Sequence, residues 1–399
     1  MKLYAQHGFQ PGKRISQALA DELIDGVIYS AKDTAPAELV STLLQQPKGS
    51  DRYFDPQYYA CLLASQPGAR LGWLWGEEGY PYFRPRRRPE LEREANVRKD
   101  LQACLEFQAE LPVTAFIAPN LVIRRTLDSI EASISKEFIR NATSIASQVD
   151  KRKPIFATLA ISADALGDRV ELQNFLQEIT ELENPPQGFY LLIERPDQSI
   201  SPSLVEQDVL SRWMLINHTL RINGFKTING YSDLLAPYLG ASGGFASACG
   251  WWNTLKAFSL KKFEPAPDQF MRKPIARYTS VTLLKSLRCT ELHDLRDDFP
   301  DVFNGLPSDR YYDPDEGSEP NEPWHEAMQN WDALRTMMTR HSGKSVRASV
   351  DACREALDGA TDLYGRIADV GYTLRERSSN AHIDAIRYEL DAFCELAEV

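Results

Sequence analysis

Short apolar runs of strand length alternate along this chain with stretches of helical spacing. Residues 2–7 (KLYAQH), 26–30 (GVIYS), 52–55 (RYFD), 113–118 (VTAFIA), 154–161 (PIFATLAI) and 188–194 (GFYLLIE) read as strands. The runs at 155–161 and 189–193 are apolar without alternation, the pattern of parallel strands covered on both faces. Between the strands, residues 15–23, 37–45, 90–111, 127–149, 168–182 and 205–221 place apolar side chains three and four apart and are predicted to be helices. Residues 224–258 compress two more units: a strand at 225–229, a helix at 232–239, a strand at 244–249 and a helix from 251 to 258. Glycines stand at the junctions, among them Gly230 and Gly250.

This succession of about eight strand–helix units predicts the α/β class and a (β/α)8, TIM-like barrel over residues 1–263. An open doubly wound sheet is the main competing architecture; it needs a reversal of crossover direction, which a sequence does not show. An aromatic and arginine-rich excursion at 68–89 interrupts the rhythm and is expected to run over one barrel face. Residues 264–323 are Pro-rich and acidic, a linker or wrap. Residues 324–399 carry two apolar stripes and form a C-terminal helical extension, a hairpin or small bundle.

Composition narrows the function classes. An apolar share of 43% and a charged share of 25% in 399 residues suit a folded protein with a sizeable core. No apolar run approaches the roughly 18 residues of a membrane span, and the first residues lack a secretory apolar core. A cytoplasmic protein without a membrane partner is expected. The six cysteines show no CxxC spacing and are read as free thiols, so no metal site is predicted. No cofactor is implied, since neither GxGxxG after a first strand nor GxxxxGK[ST] occurs. A net charge of −11 disfavours broad nucleic-acid binding.

Barrels work at the C-terminal ends of their strands, and that rule selects the candidates. Glu194, Asp55 and His7 are the candidate acids and bases. Lys32, Asn120, Arg195, Asn229, Gly230, Tyr231, Gly250 and Trp251 are the candidate substrate contacts. The loops at Gly230 and Gly250 would hold a phosphate on backbone N–H groups, as loops after the last two strands of a barrel do; the same glycines equally suit tight turns. Asp33 and Asp164 suit helix caps as well as chemistry. In the excursion, Trp73 and Trp75 precede Arg84, Arg86, Arg87 and Arg88 (RPRRRP at 84–89). Aromatics beside arginines dock proteins or hold nucleic acid, and they also anchor a loop to an acidic surface of its own chain.

Two stretches, HGFQ at 7–10 and QNWDALRTMM at 329–338, resemble the tRNA-guanine transglycosylase-like barrels. The resemblance implies a barrel acting on a nucleic-acid base. The family's zinc-binding cysteine cluster has no counterpart here, and the eighth strand region reads GFASACGWW, so no catalytic residue is carried over. Two functions are expected from the sequence. One is a barrel enzyme acting on a phosphate-bearing or nucleobase-like small molecule. The other is a non-catalytic barrel subunit that meets protein partners through the excursion or the helical tail.

Overall fold

The computed structural model describes residues 1–195, 208–265, 275–303, 305–312 and 319–399. Nine parallel strands form one sheet: β1 (Lys2–Gln6), β2 (Gly26–Ser30), β3 (Asp51–Asp55), β4 (Phe116–Ala118), β5 (Val122–Ile123), β6 (Ile155–Ser162), β7 (Gly188–Glu194), β8 (Lys226–Asn229) and β9 (Ala246–Cys249). Their order is β3-β2-β1-β9-β8-β7-β6-β4, with β5 pairing β6 beyond the end of β4. β4 and β5 share one position, so the sheet has eight. The two edges meet where the Thr114 N–H donates to Arg52 O at 2.8 Å and the Arg52 N–H to Thr114 Oγ1 at 2.9 Å. The result is a nearly closed (β/α)8 barrel.

The barrel interior is filled by large rings facing small residues. Tyr4 and Tyr53 lie 5.3 Å apart, and Phe156 meets Tyr53 edge-on at 5.9 Å. Above them Tyr190 occupies room left by Gly230, whose absent Cβ would stand 2.8 Å from Tyr190 Cε2 and 2.6 Å from Leu192 Cδ2. A core so filled leaves chemistry to the rim.

Helices α1 (Arg14–Ala20), α2 (Pro36–Leu44), α3 (Arg88–Leu91), α4 (Glu94–Ala109), α5 (Ile130–Asp150), α6 (Arg169–Thr180), α7 (Val209–Ile222) and α8 (Ala236–Ala241) belong to the units that precede β9. The helix predicted at 251–258 does not form; only a single 3-10 turn at Asn253–Leu255 does. The polar groups there are spent across the barrel rather than along a helix. The Trp251 and Trp252 indoles both donate to Phe9 O, at 3.2 and 3.0 Å. Phe258 pairs in parallel with Glu194.

The empty outer position is taken by a later helix. After the hairpin of β10 (Arg277–Ser280) and β11 (Lys285–Arg288) and helix α9 (Cys289–Leu295), helix α10 (His325–Arg340) packs beside α1 and α8. Trp331 Nε1 donates to Cys249 O at 3.2 Å, and Arg335 pairs with Asp25 at 3.1 Å. Residues 329–338 are therefore part of the barrel's own helix layer. The last helices, α11 (Val346–Asp369) and α12 (Ala381–Ala397), pack on each other and outside α8 and α7. Among the described residues, no helix is long and apolar enough to cross a membrane.

Candidate active site

Alternation along β3 and β7 turns Asp55 and Tyr190 toward the barrel axis. Asp55 is 1% exposed. Its carboxylate accepts the Tyr59 hydroxyl at 2.9 Å, the Tyr190 hydroxyl at 3.3 Å and the Gln57 N–H at 2.9 Å. Tyr190 also faces Gln6 Oε1 at 3.2 Å, so one hydroxyl proton is placed between two acceptors. Burial pushes the Asp55 carboxyl above its ordinary range, against the pull of Lys262 and the three donors.

Lys262 arrives from beyond the last barrel strand. Residues 250–263 leave β9 and cross the mouth. They are held down by the Leu260 N–H on Glu194 Oε1 (3.1 Å) and the Arg195 N–H on Phe258 O (2.9 Å). Phe258 and Phe263 are fully buried there, with Phe258 5.0 Å from the Tyr59 ring. Between them the Lys262 ammonium lies over the ring of Tyr231 (4.3 Å) and beside those of Phe263 (5.1 Å) and Phe258 (5.7 Å), and it donates to the Tyr231 hydroxyl at 2.7 Å. Burial lowers this lysine to about 8, although Asp55 and Asp33 favour its charge. Lys32 joins the cluster, donating to Lys262 O at 2.5 Å. Non-glycine residues in the left-handed region gather here too: Gln57 at φ 49°, Tyr231 at 54° and Asp233 at 42°. Such backbone costs energy and persists where its surroundings enforce it, often at sites of function.

The mouth thus brings together Asp55, Lys32, Tyr231 and, at its edge, Glu194. Other expected residues lie elsewhere. His7 is buried in the helix layer against Tyr29 (4.9 Å) and Trp251 (6.1 Å), and burial lowers it to about 4. It is neutral there and does not reach Asp55. Asn120 ties β4 to α5 and β6, donating to Ser135 Oγ at 2.9 Å and Thr158 O at 2.7 Å. Asn229 faces outward, where it accepts from Trp213 Nε1 (2.7 Å) and Asn217 Nδ2 (2.9 Å). Arg195 turns its guanidinium to Tyr231 O (3.2 Å) and the Trp213 ring.

The phosphate cradle expected at Gly230 and Gly250 is corrected. The Gly230 N–H is spent on Leu191 O (2.9 Å) and the Gly250 N–H on Leu255 O (3.0 Å). A Cβ at Gly250 would stand 2.4 Å from Gln6 O. Both glycines serve close packing. Cys249 faces Trp331 in α10, and burial pushes its thiol up, so it is no nucleophile.

The excursion does cover the mouth, on the β2–β3 side. The Tyr80 hydroxyl donates to Thr34 O and that of Tyr82 to Pro56 O. Arg86 is buried and spent on Asp100, with Arg84 on the same carboxylate. Arg87 and Arg88 pair at the surface with Glu90, Glu92 and Glu131. Trp73 and Trp75 are 43% and 46% exposed.

Sequence reasoning missed Tyr59, Tyr190 and Lys262. Tyr190 was recoverable, since Gly188, Tyr190, Leu192 and Glu194 share one strand face. Lys262 had no signal: it follows a predicted helix that does not exist. Among the described residues, no group of three or more His, Cys, Asp or Glu could hold a metal.

No protein-family model matches the chain, and no curated protein matches it. Among solved structures, dihydrodipicolinate synthase from Oceanobacillus iheyensis is similar over 76% of this chain and 79% of that one, at 9% identity and a TM-score of 0.20. That likeness is too low to bear on the chemistry; what this chain is rests on its own strands and side chains, and they make it a (β/α)8 barrel.

Proposed function

We propose that this protein is a barrel enzyme that performs general acid–base chemistry on a small molecule at the mouth. The observation that carries the reading is the buried Asp55 carboxylate on the barrel axis, held by two tyrosine hydroxyls beside the Lys262 ammonium. Asp55 exchanges the proton, since a carboxyl raised by burial is tuned toward that task. Tyr190 orients Asp55, its hydroxyl lying between that carboxylate and Gln6 Oε1. Lys262 stabilises negative charge that develops nearby, in surroundings where charge is weakly screened. Tyr59 holds the second side of Asp55.

The test uses a metabolite extract incubated with wild-type protein and with Asp55→Asn, followed by mass spectrometry. A compound consumed by the wild type and spared by the variant supports the reading. No difference between the two rejects it.

A second reading is favoured by Phe258 and Phe263, which fill the mouth with rings. Here the barrel is a non-catalytic subunit, and Trp73 and Trp75 dock a protein partner. Co-purification from the native host that is lost on Trp73→Ala with Trp75→Ala supports it; a lone monomer at native levels argues against it.

A further inference from the structure

Which ligand suits the mouth follows from its unpaired atoms, given the reading that the mouth is the working site. Gln6 and Gln57 are 0% and 1% exposed. Each has its amide oxygen turned to a donor: Gln6 Oε1 to the Tyr190 hydroxyl (3.2 Å), whose one proton it shares with Asp55, and Gln57 Oε1 to Ser30 Oγ (3.1 Å) and the Lys32 N–H (2.8 Å). Each leaves its Nε2 without a hydrogen-bond partner. Gln57 Nε2 lies beside Tyr231 without a bond of normal geometry, and the Tyr231 hydroxyl already receives Lys262. Lys262 in turn has three N–H donors, of which the Tyr231 contact uses one.

The acceptors of the same region are engaged. Asp55 takes the Tyr59 hydroxyl and the Gln57 N–H and shares the Tyr190 proton with Gln6, and Asp33 takes Ser30 Oγ at 2.8 Å. The unmet demand is therefore for acceptors. A buried N–H left bare is costly, and an apolar or donor-bearing ligand would leave these bare. A group with several lone pairs and negative charge meets them together. Arg195, whose Nε is also unpaired, faces Trp213 and stands outside this set.

We propose that the mouth binds a small oxyanion, the carboxylate or phosphate group of a small molecule, between Gln6 Nε2, Gln57 Nε2 and the Lys262 ammonium. Tyr190 touches both Gln6 and Asp55, so the atoms next to that anion lie one side chain from the proton-exchanging carboxyl.

The experiment is calorimetric titration of the full chain with sodium phosphate and with sodium acetate at fixed ionic strength, chloride being the control. Saturable binding of one of them is expected: phosphate alone marks a phosphate ester, acetate alone a carboxylate. Lys262→Met and Gln6→Glu should each weaken it about tenfold or more, and Lys262→Arg should stay within a few-fold of wild type. No saturable heat with either anion overturns the proposal. So does unchanged affinity in Gln6→Glu, or in Lys262→Met if Gln6→Glu does not fold. In the extract experiment, consumption of a compound without any oxyanion would reject the anion and keep the enzyme. Anion binding with no compound consumed would do the reverse.

Discussion

Asp55 and Asp100 are both buried and both touched by tyrosine, yet their surroundings differ in kind. Asp100, on α4, receives Arg86 through two nitrogens at 2.7 and 2.5 Å, Arg84 at 2.9 Å and the Tyr58 hydroxyl at 2.5 Å. Burial raises that carboxyl, but Arg86, Tyr58 and Arg84 together outweigh it and hold it below its ordinary range. Among the described residues Asp55 has no cation within hydrogen-bond reach, and its carboxyl is left above that range. The first aspartate clamps the excursion to the barrel and is chemically quiet. The second sits among left-handed residues, unpaired amides and a lysine of lowered affinity for its proton. Both are 1% exposed, but Asp55 lies deeper in the protein, and Asp100 alone of the two has guanidinium partners on its carboxylate.

The largest expected effect breaks the quiet partner of this pair. Asp100→Ala strands Arg86 as an uncompensated buried charge and should cost about 3–5 kcal/mol. Urea unfolding measures it, and limited proteolysis should then cut within 68–89. A loss near zero would mean that Asp100 is not a clamp.

The next effect is in the pH dependence of stability, where the two aspartates act with opposite sign. Asp100, lowered in the fold, contributes stability above the ordinary aspartate range and loses it as pH falls through its folded value. Asp55, raised in the fold, contributes most at low pH and loses it as pH rises through its folded value. Relative to wild type, Asp55→Asn should therefore gain stability as pH rises through that window. A difference profile that is flat or of the other slope would contradict the assignment. Glu389 sharpens the comparison as a third case. It is fully buried between α12 and α7, accepts one bond, from the Ser211 N–H at 2.6 Å, and is pushed up by burial to about 7. Its contribution should fade between about 4.5 and 7, and Glu389→Gln should remove that slope.

At neutral pH, Asp55→Asn should change stability by about 1 kcal/mol or less, because the amide keeps the shape and sheds the buried charge. The smallest effect is Tyr190→Phe, which removes one shared hydrogen bond and should cost about 0.5–1 kcal/mol. Thermal unfolding of both variants at one pH checks the order; a Tyr190→Phe loss larger than that of Asp100→Ala would invert it.

The barrel was legible because strand-length apolar-rich runs alternate with helical spacing at regular intervals, and two of the runs, 155–161 and 189–193, are apolar without alternation. The mouth was half legible. Asp55, Lys32 and Tyr231 stand at strand ends, where position alone selects them. His7, Asn120 and Asn229 stand there too but face outward, a matter of one residue of register that the strand boundaries leave open. Lys262 and the crossing segment were illegible, because Trp251 and Trp252 bond to Phe9, more than two hundred residues away in sequence. Local spacing carries no trace of such a partner. The RPRRRP run was ambiguous for the same reason: Asp100 decides the fate of Arg84 and Arg86, and it lies on another element.

The helix His325–Arg340 has a consequence in time. The sheet is complete in sequence at Cys249, but the wall that covers β9 and β1 arrives with Trp331 and Arg335. During synthesis the growing chain waits on the order of ten seconds for it. Until then the backbone carbonyl of Cys249 lacks its Trp331 partner, and β9 has α8 beside it but not α10. The covering of β1 and β9 by this helix is thus a late, long-range event, set by the arrival of one distant segment rather than by the order in which the strands are made.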